Sequence, residues 1–265
     1  MYTEPAFNAI AQTYDADFTE SIIGKLQRNK VWYYLEKYLP QNKKLKILEI
    51  NCGTGTDAIW LANKGHEVIA TDISDKMIEW AQVKLKKEAI DTALAFEICS
   101  FENLKEKYKD QKFDILFSNF GGLNCSDQKA LEQLNHDFKK LLNPDGKLIM
   151  VLLGKYCLME QLYFFLKSDY SKIKRRMNPT ESRLSENTFQ PTWYYTAKDL
   201  QQIFNAFQLQ TKKPIGLFIP PSFLEKQAIK HPKPIRVLSF FEKQLGNISS
   251  LSNFGDHILI VFEKK

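Results

Sequence analysis

The sequence predicts an α/β fold, a parallel sheet covered by helices on both faces. Three observations predict it. Up to about residue 153, apolar runs of strand length alternate with amphipathic stretches of helical period. The first of those runs ends in the turn Asn51-Cys52-Gly53-Thr54-Gly55, and a helical stretch follows at once. Helices, not tight hairpins, separate the strands, which calls for right-handed crossovers and parallel pairing.

Residues 7–39 read as helical up to Pro40, and the polar stretch 41–44 leads into a strand at 45–50. After the glycine turn come a helix at 57–63, a strand at 67–71 (EVIAT) and a helix at 75–87 with Met77, Ile78, Ala81 and Leu85 on one face. Strands are expected at 94–98 and 113–118 and a helix at 127–142, and Asn143-Pro144-Asp145-Gly146 reads as a turn before a strand at 147–153. The rhythm then changes. Residues 155–168 form an apolar, aromatic-rich helix, 177–191 is polar and turn-prone, and Thr196 caps a helix at 197–207. A strand at 209–219 stops at Pro220-Pro221, residues 222–250 are helical, and the chain closes on the strand HILIVF at 257–262.

These segments read as one domain over 1–265: a core of 40–154, 196–221 and 255–265, an N-terminal helical cap at 5–39, and insertions at 155–195 and 222–254 that cover or line a site. The four cysteines, Cys52, Cys99, Cys125 and Cys157, are spread without a CxxC pair, so neither a disulfide framework nor a zinc finger is expected and no metal is assigned. The N-terminus lacks a basic, then apolar, leader pattern, and the most apolar stretch, 147–167, is broken by Lys155 and Glu160. A cytoplasmic chain without a membrane span is the expectation. The balance of 37 basic to 31 acidic residues is mild; its densest basic run, Lys172 to Arg176, reads as a solvated helix face or, alternatively, a contact for an anionic partner.

The chemistry centres on the glycine turn. Two glycines permit close backbone approach, so a ligand would lie over the helix N-terminus at the carboxyl end of the first strand. Gly53, Gly55 and Ala58 satisfy the dinucleotide fingerprint, and Asp72, 19 residues after Gly53, ends the second strand where a carboxylate accepts from both hydroxyls of an adenosine ribose. Dehydrogenases that use NAD share both features. Glu49 separates the two ligands: a carboxylate beside this turn would repel a pyrophosphate, whereas it suits the sulfonium and α-ammonium of S-adenosylmethionine.

ILEINCGTGTDAIWLA, TDISDKMIEWA, FDILFSN and LLNPDGKLIM, in that order, resemble the class I S-adenosylmethionine-dependent methyltransferases. The chain is similar in particular to the group with small-molecule acceptors found in ubiquinone and biotin biosynthesis, whose F-x-x-x-A-x-x-Y-D opening is matched by FNAIAQTYD. The resemblance covers residues 7 to about 153, and DHILIVFEK fits the family's reversed terminal strand. It implies a Rossmann-like seven-stranded, mostly parallel sheet with that last strand reversed, helices on both faces, and helical insertions that form an acceptor cover.

It also implies roles for individual residues. Gly53 and Gly55 would admit the methionine part, with Glu49 beside it, and Asp72 would hold the ribose. Ile73 and Met77 would pack near the adenosine, though both fit ordinary helix-sheet core equally well. Phe101 would border the adenine beside Ser100, which stands where the family usually has an aspartate. Asn51 replaces a glycine of E-x-G-x-G-x-G, and asparagine tolerates the positive φ required there. The loop Asn119-Phe120-Gly121-Gly122-Leu123-Asn124 lies where donor and acceptor meet: Asn119 and Phe120 would contact the cofactor, and Asn119 or Asn124 would orient an acceptor. Tyr14 matches the tyrosine of the family's mobile N-terminal helix. Arg28 would neutralise a ligand carboxylate, with an exposed helix arginine as the competing reading.

The implied reaction is in-line methyl transfer to an oxygen or nitrogen, less readily a carbon, of a small aromatic or hydrophobic metabolite, leaving S-adenosylhomocysteine. Alignment and water exclusion would supply most of the rate. No residue has to be a general base; Tyr14, Asn119 and His257 are the candidates for a catalytic role. Aromatics in the insertions, among them Tyr156, Phe165, Trp193, Phe223 and Phe240, fit either an acceptor cover or helix packing. An RNA methyltransferase is the alternative, although no RNA-binding module accompanies the domain and Asn-Pro-Pro-Tyr is absent after the fourth strand. A non-catalytic S-adenosylmethionine-binding protein is a second alternative, motivated by Asn51 and Ser100. The expected partner is a small-molecule acceptor, not nucleic acid, for a monomer or homodimer.

Overall fold

The structure, a computed structural model, describes residues 5–88 and 93–265, so residues 1–4 and, within the core segment 40–154, residues 89–92 lie outside the described residues. Five parallel strands, β1 (Lys46–Ile50), β2 (Glu67–Asp72), β3 (Leu94–Ile98), β4 (Phe113–Ser118) and β5 (Leu142–Leu153), stand in the order β3-β2-β1-β4-β5. Away from them, β6 (Thr180–Arg183) and β7 (Phe189–Thr192) pair antiparallel as a separate hairpin. The main sheet is completed to seven strands by β9 (His257–Lys264) and β8 (Phe207–Ile215) in the order β5-β9-β8. β9 runs antiparallel to both neighbours, so the reversed last strand and the Rossmann-like sheet are as the sequence predicts. The central strands read as continuous apolar runs because both faces are covered: Ile47, Leu48, Leu116, Phe117 and residues 149–152 are all buried.

Helices α1 (Ile22–Leu35), α2 (Thr56–Asn63) and α3 (Asp75–Glu88) pack on one face of the sheet. The opposite face is covered by α4 (Leu104–Lys107), α5 (Gln128–Leu141) and, after α6 (Leu158–Leu166), by α7 (Ala197–Ile203). Local chemistry sets their ends. The Asp127 side chain caps α5 through the Ala130 N–H at 2.8 Å, and Thr196 and Asp199 form a reciprocal capping box on α7. Two further helices, α8 (Glu225–Lys230) and α9 (Pro232–Leu245), pack against α1, α9 starting with Pro232 in its first turn.

Four expectations need correction. Residues 7–39 are not one helix: a 3-10 turn (Ala6–Ile10) and a π-turn (Asp15–Thr19) precede α1, which starts only after the Ser21 hydroxyl accepts the Gly24 N–H at 2.9 Å. The Glu225 carboxylate accepts the Ile22 and Ile23 N–H groups at 2.7 and 3.0 Å, so a side chain from the second insertion satisfies donors that α1 cannot. Residues 143–146 belong to β5 instead of forming a free turn, with an irregular register against β4. The polar stretch 177–191 carries the β6–β7 hairpin.

The fourth correction concerns the basic run. Arg176 is 4% exposed; its guanidinium donates to Glu160 Oε2 at 2.8 Å, to Asp256 Oδ1 at 2.7 Å and to the carbonyls of Gly154 and Asp256. Arg175 forms a two-pronged pair with the same Glu160 at 2.8 and 2.7 Å. Spacing alone does not show that these arginines have buried carboxylates waiting for them. The cluster pins the first insertion to the start of β9, and Gln27 of α1 joins it through Asp256 at 3.0 Å. Among the described residues, no helix is long and apolar enough to cross a membrane. Glu160→Ala leaves Arg176 buried with one carboxylate fewer and is expected to cost roughly 3–5 kcal/mol. Thermal unfolding followed by circular dichroism should show a melting temperature lower by on the order of 10 °C; an unchanged melting temperature would show that the cluster holds nothing together.

Candidate functional site

A cleft of about 280 Å³ opens at the carboxyl edge of the sheet, where the loops after β1, β2, β3 and β4 converge. A narrow hollow of about 20 Å³ adjoins it and shares Tyr14, Asn51, Gly53, Asn119 and Phe120 as walls. The turn after β1 shapes both. Asn51, Gly53 and Gly55 all take positive φ, at 53°, 54° and 78°. At Gly53 the nearest atom to an added Cβ would be a ring carbon of Tyr14 at 3.7 Å, so this glycine faces the cleft. Gly55 lines neither space; an added Cβ there would lie 2.5 Å from the Phe96 ring, so its lack of a side chain serves the packing of α2 against β3.

Asp72 sits at the end of β2 as expected. Its Oδ2 accepts the Gly53 N–H and its Oδ1 the Ser74 N–H, both at 2.9 Å, so it fixes the glycine turn while it lines the cleft. Burial raises its pKa above the ordinary carboxylate value, and the bonds from Ser74 and Gly53 oppose that rise. Ile73, Met77, Ser100 and Phe101 line the same cleft; Ile73 is half exposed, whereas Met77 is buried. Asn51 also lines it, its amide donating to the Asn119 carbonyl at 2.8 Å and accepting the Ser118 hydroxyl at 2.6 Å.

The narrow hollow is organised by Asp57, in the first turn of α2, which sequence reasoning missed. Its carboxylate accepts from Arg28 Nη1 at 2.5 Å, Trp32 Nε1 at 2.7 Å and Asn119 Nδ2 at 2.9 Å. Trp32 also stacks on Trp60 of α2, ring centroids 4.8 Å apart. An acidic residue in the first turn of the helix after the glycines was the available signal. Arg28 is therefore no exposed helix arginine: it is 9% exposed, stands 4.9 Å over the Phe120 ring, and keeps a buried Nε without a hydrogen-bond partner. Glu49 departs from expectation. It is 1% exposed, lines neither space, and burial holds its carboxyl well above the usual range, reinforced by Asp57. Its Oε2 is likewise a buried acceptor without a partner.

Tyr14 covers the turn, held there because its neighbour Asp15 accepts the Thr54 hydroxyl at 2.6 Å and pairs with Lys84 at 2.7 Å. Burial pushes the Tyr14 phenol up to about 12. Asn119 and Phe120 line both spaces. Asn124 does not: it is fully buried, and its side chain bridges the Leu153 backbone and the Trp193 carbonyl. His257 is off the cleft wall too, 8% exposed behind the Phe120 ring at 5.4 Å, with burial lowering its pKa.

Of the two insertions only the first reaches the cleft, through Gln190 of the hairpin. None of the insertion aromatics expected as a cover lines it; its aromatic walls are Phe7, Tyr14, Phe101 and Phe120. Residues 5–7, Cys125, Ser126 and Gln190 also line it without having been anticipated, because they come from loops and a hairpin brought in by tertiary packing.

Residues 41–210 match the family model described as Methyltransferase domain. Over 154 residues the chain is 27% identical to a demethylmenaquinone methyltransferase from Leptospira interrogans, covering 56% of this chain and 59% of that protein. It thus spans less than two thirds of the length of that curated relative. It is 24% identical over 185 residues to a tRNA 5-carboxymethoxyuridine methyltransferase from Escherichia coli K12, covering 67% of this chain and 69% of that protein. Its fold is shared with the crystal structure of an S-adenosylmethionine-dependent methyltransferase from Clostridium acetobutylicum, at a TM-score of 0.58 and 14% identity over 98% of this chain and 99% of that one. With the reversed strand in place and the glycine turn at the cleft, the chain belongs to the methyltransferase-domain family of S-adenosylmethionine-dependent enzymes.

Proposed function

We propose that the chain acts as one methyltransferase unit over residues 1–265, moving the methyl group of S-adenosylmethionine to an oxygen or nitrogen of a small hydrophobic metabolite. The observation that carries this reading is the pair of linked spaces: a cleft walled by Gly53 and Asp72, and beside it a hollow where Arg28 keeps an unpartnered donor. The residues fit the ligand's two ends. Arg28 Nε is a buried donor for a carboxylate, and Asp72 is an acceptor at a strand end. No phosphate-sized cluster of cations competes, since the nearest guanidinium is already paired with Asp57.

When bound, S-adenosylmethionine supplies an electrophilic methyl on a sulfonium. The chain's residues hold and shield. Asp72 holds the ribose hydroxyls, Ile73, Met77, Ser100 and Phe101 border the adenine, and Arg28 and Asn119 hold the amino-acid end with Asn51 and Gly53 along its length. Tyr14 and Phe120 exclude water above it. Tyr14 keeps its proton at neutral pH because burial raises its pKa to about 12, and His257 is screened by Phe120, so neither takes a proton from the acceptor. Rate then comes from alignment, which can supply roughly 7–11 kcal/mol. The acceptor enters beside Phe7, Cys125, Ser126 and Gln190, in a cleft whose wall also carries Glu102. The quinone-pathway relative supports that class of acceptor, while the tRNA-modifying relative favours RNA as the second reading.

Calorimetric titration with S-adenosylmethionine tests the ribose assignment. Asp72→Ala should weaken affinity by roughly 10–100-fold, the worth of one or two charge-assisted hydrogen bonds. Because burial raises the Asp72 pKa and only the ionised carboxylate accepts both hydroxyls, wild-type affinity should fall as pH drops through that raised value. Retained affinity in Asp72→Ala overturns the assignment. Mass spectrometry of a cell extract incubated with the enzyme and isotopically labelled S-adenosylmethionine should place the label in a small hydrophobic molecule; label confined to RNA replaces the first reading with the second.

A further inference from the structure

The second insertion turns its aromatic residues outward, away from the cleft. On α9, Val237, Phe240 and Phe241 recur at helical spacing on the solvent side, at 56%, 58% and 42% exposure, while Ile235 and Glu242 face inward. On α6 the outward stripe is Leu158, Leu162, Phe165 and Leu166, the last 72% exposed. Phe223 joins the two insertions: its ring lies 6.0 Å from Tyr163 and 6.1 Å from Phe164, and it leads into α8, whose Ile229 is 60% exposed. Both insertions leave the sheet at its carboxyl edge, after β5 and after β8, which is the edge that carries the cleft. Exposed apolar surface on this scale marks a docking face.

The charges around it select the occupant. Residues 222–254 hold five basic side chains, Lys226, Lys230, Lys233, Arg236 and Lys243, all exposed and none in an ion pair among the described residues. Their two acidic residues are turned inward, Glu225 onto the N-terminus of α1 and Glu242 onto the Phe218 N–H. The outer charge of this insertion is thus of one sign. A second copy of this chain would set lysine against lysine. We propose that this face docks on the surface of an anionic lipid bilayer, with Phe165, Phe223, Phe240 and their neighbours entering the headgroup layer and the lysines pairing with lipid phosphates.

Flotation of the full chain with phosphatidylglycerol–phosphatidylcholine vesicles and with pure phosphatidylcholine vesicles tests this. Binding is expected to the anionic vesicles, falling about tenfold or more on neutral vesicles or in Lys230→Glu/Lys233→Glu. Phe165→Ser/Phe240→Ser should also reduce binding, with its melting temperature and S-adenosylmethionine affinity kept at the wild-type values to show that the fold is intact. The proposal is overturned if wild-type protein ignores anionic vesicles, if either double variant binds like wild type, or if sedimentation velocity finds a dimer that only Phe165→Ser/Phe240→Ser dissociates.

Discussion

One buried carboxylate, Asp57, ties together the three segments that make the site. Through Arg28 and Trp32 it anchors α1, through its own backbone it belongs to the helix after the glycine turn, and through Asn119 it reaches the loop after β4. Such charge-assisted bonds are worth roughly 1.5–3 kcal/mol each, and here they act on segments that sequence alone leaves free to separate. The narrow hollow exists because these three donors converge on one acceptor. The neighbouring Asp72 does the same for the wider cleft, since its two oxygens hold the turn of Gly53 and the start of the Ser74 segment.

The sheet was legible in the sequence because buried parallel strands must be apolar on both faces, and β1, β4 and β5 are. The glycine turn and Asp72 were legible because a strand end, a positive-φ turn and a helix start each leave a local signature. What failed were inferences about side chains whose fate depends on distant partners. Glu49 read as a carboxylate beside the ligand, yet it is sealed from both spaces, and the acidic group on the hollow is Asp57, eight residues later. The Arg175-Arg176 pair read as solvated because nothing local announces Glu160 and Asp256 as partners. Asn124 read as an acceptor contact and is instead a clamp on the Leu153 and Trp193 backbone. The β6–β7 hairpin went unseen because Thr180–Arg183 is polar throughout and pairs only with its neighbour.

The insertions divide their work. The first is locked to the core by the Glu160–Arg176–Asp256 cluster, and its hairpin is carried across to the cleft, where Leu184 packs near Ile10 and Met77. The second contributes Glu225 to the start of α1, packs Leu224, Ala228 and Ile235 against that helix, and turns its aromatic side chains to solvent. Since α1 also supplies Arg28, an insertion that touches no part of the cleft still governs the position of a charged residue of the adjoining hollow. Residues without contact to a ligand can thus matter to its binding by setting where α1 lies.

Titration calorimetry with S-adenosylhomocysteine, comparing wild type with Asp57→Asn, tests most directly whether this convergence shapes the ligand site. Asparagine keeps the size of the side chain and removes the charge that holds Arg28. Affinity should drop roughly tenfold or more in a protein that still melts cooperatively. Equal affinities in the two proteins would mean that the hollow around Asp57 takes no part in holding the nucleoside, and the account would be wrong at its centre.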